Sequence, residues 1–247
     1  MSAPILEVSD LDKRFGGLHA VKRFKLSVAP AEIVGILGPN GAGKTTIFNL
    51  LSGFIAPDQG QVLFRGTSLI GLRPDRIVGL GLARTFQLCR PIIGLTVLEN
   101  VLVGSLGPRV IAKNLADRAL ALLDQVGLTN KANSPAELLS YGDLRRLEIA
   151  RALATAPELL LLDEPFAGLG AAEIDALSTL IRSLHSQQNL TILLIEHKLR
   201  EFMQLVSRVV AIDFGEIIAE GPPSTIVNDP RVIEAYIGRQ TPVPTHA

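Results

Sequence analysis

Short apolar or alternating blocks run through the first third of the chain. Residues 5–8, 24–28, 32–37 and 61–64 read as strands, punctuated by Gly, Pro and the turn signal Asp58-Gln59-Gly60. At 45–51 and 172–187 the apolar spacing changes to three or four residues, the period of a helix with one buried face. Four leucines at 159–162 and the run 191–195 are continuously apolar, as strands covered on both faces must be. This alternation predicts an α/β fold with a mostly parallel sheet between helices. From Gln87 to about Ala156 the strand signal stops, and Leu115, Ala119, Leu122 and Leu123 recur at helical steps. A helical subdomain inserted into the sheet core is expected there. The Pro-containing tail 241–247 is expected to be mobile.

Composition narrows the picture. A chain of 247 residues sits at the upper edge of one domain, and 47 % hydrophobic residues exclude a disordered chain. Lys plus Arg and Asp plus Glu both number 24, so no global field draws the molecule onto nucleic acid. The longest stretches free of charged side chains, 45–57 and 183–195, are too short for a helix crossing a bilayer, which needs about 20 residues. The N-terminus lacks the basic start and apolar run of a signal peptide, and the single Cys89 cannot form an intrachain disulfide. The expected location is a reducing cytoplasm.

The strongest chemical signal is Gly38-Pro39-Asn40-Gly41-Ala42-Gly43-Lys44-Thr45, followed by Thr46, between an apolar strand and a helical run. It fits G-x-x-x-x-G-K-[ST]: glycines let consecutive backbone N–H groups converge on phosphates, the helix adds its positive end, and Lys44 adds a mobile cation. Thr45 can offer its hydroxyl to Mg²⁺. A magnesium–triphosphate site also needs carboxylates, and Asp163-Glu164 stand where the leucine strand emerges. Asp163, nearer the strand, is expected to hold Mg²⁺ through water, and Glu164 to act as general base on the attacking water.

Further residues identify a resemblance. Leu139-Ser140-Tyr141-Gly142-Asp143, followed by Leu-Arg-Arg-Leu-Glu-Ile-Ala-Arg-Ala-Leu, resembles the signature sequence of ABC (ATP-binding cassette) ATPases. The resemblance implies a P-loop NTPase (RecA-like) core with an N-terminal antiparallel β subdomain and an inserted helical subdomain, in one domain over 1–247. The nucleotide-binding core would be about 1–86 and 157–238, and the insertion about 88–156. By the same resemblance Gln87 bridges Mg²⁺ to a membrane partner, His197 contacts the γ-phosphate, and Phe15 stacks on adenine. Ser140 and Gly142 would reach the ATP of a second cassette, forming a head-to-tail dimer. Ser140 with Asp143 is equally a good helix N-cap.

Two positions depart from the family pattern. Asp143 stands where Gln is usual; its carboxylate either weakens closure of the dimer or is tolerated by turning to its own helix end. Gly170 replaces the usual Asp or Asn after the acid pair. A weaker signature face, as in heteromeric pairs, is the expectation.

The segments Leu11-Asp-Lys-Arg-Phe-Gly-Gly, Leu95-Thr-Val-Leu-Glu-Asn and Asn228-Asp-Pro-Arg-Val-Ile-Glu-Ala-Tyr-Ile-Gly look like importer cassettes for branched-chain amino acids or urea and amides. The resemblance implies permease subunits, a substrate-binding protein, and a peripheral position on the inner face of the cell membrane. A lipopolysaccharide-type export cassette and a soluble non-transport cassette remain alternatives. A groove at 89–98, with Ile92, Ile93 and Leu95 as an exposed apolar cluster, is expected to receive a permease helix. Asp213-Phe214-Gly215 copies a kinase motif, but its flanking strands predict a hairpin turn.

Overall fold

The computed structural model describes residues 3–111 and 113–237, so the 241–247 tail lies outside it. Two sheets organise the chain. The first is antiparallel and contains β1 (Leu6–Phe15), β2 (Leu18–Val28), β4 (Gln59–Phe64) and β5 (Thr67–Ser68), in the order β2-β1-β4-β5. β1 and β2 extend well past the alternating blocks. The register shifts between Val8 and Arg14, and Asp10 and Arg23 adopt φ of 47° and 45°. These bulges move polar residues out of phase, so a period of two cannot follow the strands through them.

The second sheet has the order β10-β9-β3-β8-β7-β6. β3 (Ile33–Leu37), β6 (Leu82–Arg84), β7 (Leu159–Asp163), β8 (Thr191–Ile195) and β9 (Arg208–Asp213) run parallel, and β10 (Glu216–Gly221) returns antiparallel. Every residue of β3, β7 and β8 is buried. Leu160 and Leu162 join one core cluster with the inserted helices, while Leu159 and Leu161 join the other with the antiparallel sheet and α1 (Lys44–Leu51). Alternate side chains thus enter opposite layers, which is why this strand is leucine throughout.

α2 (Pro74–Leu80) precedes β6. The insertion comprises α3 (Val97–Gly104), α4 (Leu115–Gln125) and α5 (Tyr141–Ala154), mutually packed. α3 starts at a reciprocal cap: the Thr96 hydroxyl accepts from the Glu99 amide, and the Glu99 carboxylate accepts from the Thr96 amide. α6 (Ala171–Gln188) and α7 (Leu199–Leu205) return the chain to the sheet, and α8 (Pro223–Ile226) and α9 (Pro230–Ile237) close it. The Asp213-Phe214-Gly215 string is the β9–β10 hairpin turn, with φ of 43° at Phe214 and 81° at Gly215.

Candidate active site

The phosphate-loop sequence leaves β3 at Leu37 and enters α1 at Lys44. Gly41 and Gly43 have φ of 81° and 105°, and a Cβ on Gly43 would lie 2.4 Å from the Ala20 carbonyl. A Cβ on Gly38 would lie 2.3 Å from the Ile212 carbonyl. The loop is therefore wedged between β2 and β9, and only glycine fits at both ends. No side chain caps α1 and its first turn holds no acid, so its amides are left for an anion. Lys44 is only 5 % exposed; its Nζ donates to the carbonyls of Gly38 at 2.6 Å and Pro39 at 2.9 Å. Burial lowers the Lys44 pKa, against the opposing pull of the Glu164 and Asp163 charges. Around it Ala42 is buried, Pro39 and Thr46 are half-buried, and Asn40, Gly41 and Thr45 face solvent.

Two residues far apart in sequence meet at Glu164. Gln87 Nε2 donates to Glu164 Oε2 at 2.9 Å, and His197 Nε2 lies 2.8 Å from Glu164 Oε1. The backbone turns sharply after β7, with φ of 48° at Glu164, and its amide bonds the Ile195 carbonyl at the end of β8. Buried Glu196 fixes the neighbouring loops: its carboxylate accepts from the amides of Phe166, His197 and Lys198.

Asp163 is buried, and burial raises its pKa despite the Arg84 guanidinium bonded to it at 2.7 Å. Arg84 also donates to Asn49 and Ser52 and lies over the rings of Phe48, Phe54 and Phe86. Thr45, Gln87 and Asp163 line one pocket. Hydroxyl, amide and carboxylate oxygens are the donors Mg²⁺ prefers, so these residues fit that ion. Among the described residues no group of three or more His, Cys, Asp and Glu is placed to hold a metal ion.

Arg145, 2 % exposed, joins the Gln87 segment to α5 by donating to the carbonyls of Phe86 and Gln87 and to the Tyr141 hydroxyl. Glu148 accepts from the Phe86 amide and the Cys89 thiol. Sequence reasoning passed over Arg84, Arg145, Glu148 and Glu196. The available signal was charge at positions of α5, and at strand ends, that otherwise read as apolar.

Ser140 and Gly142 stand at the start of α5, and their bonds do not run to the Glu164 group. The Ser140 hydroxyl accepts from the Asp143 amide and donates to its carboxylate, which also pairs with Lys131. Burial opposes ionisation of Asp143, but the bonds from Lys131 and Ser140 hold its pKa below the usual value. Asp143 is thus turned to its own helix end and neutralised by Lys131. The Gly170 amide donates to Glu173. Phe15 is half-exposed beside the β1–β2 turn, with Lys13 Nζ 5.5 Å from its ring centroid; β2 of the same hairpin touches the phosphate loop through Ala20.

A pocket of about 650 Å³ takes in Arg90 from the expected 89–98 stretch, with Phe86, Leu88, Val103, Arg151 and Thr155, beside Thr45 of the phosphate loop; Ile92 and Leu95 do not line it. Of the expected apolar cluster only Ile93, 81 % exposed, faces solvent fully. Buried Asn100 bonds the Ile92 amide and carbonyl and the Leu95 carbonyl, which folds that turn back onto α3.

The chain matches the family model described as "ABC transporter" over residues 21–167, and a second, "Branched-chain amino acid ATP-binding cassette transporter", over 216–241. It is 45 % identical over 253 aligned residues to the high-affinity branched-chain amino acid transport ATP-binding protein LivG of Escherichia coli strain K12, covering 96 % of this chain and 99 % of that protein. BraF of Pseudomonas aeruginosa, described in the same words, is 43 % identical over the same shares of both chains. Among solved structures, the ADP conformation of MJ1267, an ATP-binding cassette of an ABC transporter, has a TM-score of 0.87 and 30 % identity, over 96 % of this chain and all of that one. The dimeric post-hydrolysis state of MJ0796, bound to ADP and Pi, has a TM-score of 0.79 and 26 % identity, over 88 % of this chain and 98 % of that one. On these matches, the chain belongs to the ABC transporter family, as one of its ATP-binding and ATP-hydrolysing cassettes.

Proposed function

We propose that this cassette powers a membrane permease for branched-chain amino acids. The observation that carries the catalytic reading is the Glu164 carboxylate held between Gln87 and His197 at 2.9 and 2.8 Å. Such a clamp fixes the base in one rotamer beside the phosphate loop, so that little reorganisation is needed when water is deprotonated. Lys44 exchanges its bonds to the loop carbonyls for the β- and γ-phosphates of ATP, and the uncapped amides of α1 share the negative charge. Phe15 stacks on the adenine. Thr45, Gln87 and, through water, Asp163 would hold Mg²⁺, which would supply neutralisation of phosphate charge. Glu164 Oε takes a proton from water as its oxygen attacks the γ-phosphorus; the bond to the β–γ bridging oxygen breaks, and His197 hydrogen-bonds the departing phosphoryl group.

Ser140 and the Gly142 amide serve the nucleotide of a second cassette, supplying charge stabilisation across a two-fold pair. The groove beside Phe86, Leu88 and Val103 takes a helix of the permease, because motion of Gln87 on nucleotide binding is carried there by the buried Arg145. No described helix is long and apolar enough to cross a membrane, so attachment to the inner membrane face runs through those permease subunits, with a substrate-binding protein delivering the cargo. The cargo class rests on the names of the relatives and on the match at 216–241.

The test is transport by the cassette reconstituted with its partner cassette and permease in proteoliposomes. With ATP on the cassette side, leucine supplied on the binding-protein side should accumulate, and a Glu164→Gln cassette should stop it. Hydrolysis with no response to any branched-chain amino acid would refute the cargo assignment.

A further inference from the structure

Within the C-terminal stretch that matches the branched-chain family model, α9 meets the phosphate loop. In α9 the Tyr236 hydroxyl accepts a hydrogen bond from the backbone N–H of Gly38 at 3.0 Å. Gly38 is buried, and it comes one residue after the last β3 residue paired with β9, Leu37 opposite Ala211. A Cβ at this position would lie 2.3 Å from the Ile212 carbonyl, so only glycine fits where the loop passes β9. Tyr236 therefore supplies the acceptor for this amide, whose loss would leave a buried donor unsatisfied.

The tyrosine is held where it stands. Val232, one turn earlier, is buried in the core, and Tyr236 lines an apolar groove of about 420 Å³ with Leu37, Leu199, Met203 and Ile233. Leu37 is the last residue of β3, and Leu199 and Met203 belong to α7, which starts two residues after His197. One side chain thus bonds the entry to the phosphate loop and lines the same groove as the helix that follows His197. Burial pushes the phenol pKa up to about 12, so the hydroxyl stays neutral at working pH.

We propose that Tyr236 is a positioning residue of the nucleotide site: its hydroxyl seats the first amide of the phosphate loop and makes nucleotide affinity depend on the C-terminal helix. This rests on the loop being the triphosphate site. An unseated Gly38 lets the loop sample conformations in which the amides no longer converge, which weakens ATP binding more than the chemical step.

The experiment compares the full chain with Tyr236→Phe and with Ile233→Ala, a change in the same groove that touches no loop amide. Hydrogen exchange at Gly38 is followed by NMR, and KM and kcat for MgATP are measured in parallel. Tyr236→Phe should speed Gly38 exchange about tenfold while β3 amides hold, raise KM about fivefold and leave kcat within about twofold. Ile233→Ala should do neither. Unchanged Gly38 exchange and KM in Tyr236→Phe would overturn the proposal, as would an equal rise in KM for Ile233→Ala, which would assign the effect to helix packing. A wild-type chain that binds no nucleotide overturns the reading of the loop and, with it, the affinity claim, while Gly38 exchange still decides the contact.

Discussion

Replacing Arg84 with Met should leave the buried Asp163 carboxylate without its hydrogen-bonded counter-charge. The two side chains are 5 % and 3 % exposed and 2.7 Å apart. Met keeps much of the apolar volume against Phe48, Phe54 and Phe86, so the lost guanidinium contacts with those rings, at 5.1 to 5.9 Å, are partly offset. What is not offset is the buried charge. Breaking such a pair from one side costs about 3–5 kcal/mol, and in a chain of this size each kcal/mol lowers Tm by about 2–4 °C, so Tm should fall by about 6–20 °C at pH 7. The sign with pH follows from Asp163. A folded pKa above the unfolded one means the folded state binds more protons in that window, so stability falls as pH rises through it. Without Arg84 the window widens, and the deficit should shrink toward pH 5. Adding Asp163→Asn to Arg84→Met removes the orphaned charge and should recover part of the loss. Thermal unfolding by circular dichroism decides it: a Tm within 2 °C of wild type, or a double variant no better than the single one, would refute the reasoning.

Other outcomes follow from the same contacts. Asp143→Gln should change ATP-dependent dimerisation less than about twofold in a Glu164→Gln background, because Lys131 already neutralises the carboxylate; Lys131→Ala should weaken it about tenfold, and the double variant should restore it, all read by analytical ultracentrifugation. With burial first and Glu148 next holding the Cys89 pKa up at about 12, its thiolate is about one part in ten thousand at pH 8. Iodoacetamide labelling should therefore rise about tenfold per pH unit from 8 to 10, and a plateau by pH 9 would contradict the environment described. Arg145→Met removes the donors to the Phe86 and Gln87 carbonyls, and hydrogen–deuterium exchange at 86–90 should rise well above that of β7; equal protection in variant and wild type would show the tie to be idle.

Much of the site could be read from residue order because its chemistry is local. The phosphate loop, the acid pair and the serine before α5 are contiguous strings, and backbone geometry follows from their glycines and strand ends. The residues that hold these strings in place act across the fold. Arg84 and Asp163 meet only because β6 and β7 are neighbours, Arg145 reaches the Gln87 carbonyl from another segment, and Tyr236 returns from the far end of the chain. Periodicity failed at β1, where bulges break it, and at 92–95, where Asn100 ties apolar residues inward that looked free to face a partner.

The central claim is that Glu164, clamped by Gln87 and His197, is the base that breaks the γ-phosphate bond. Phosphate release from MgATP by the assembled transporter, wild type against Glu164→Gln, tests it most directly. The substituted cassette should bind ATP within about threefold of wild type and lose about 10²- to 10⁴-fold in turnover. Turnover retained within a few-fold would contradict the account.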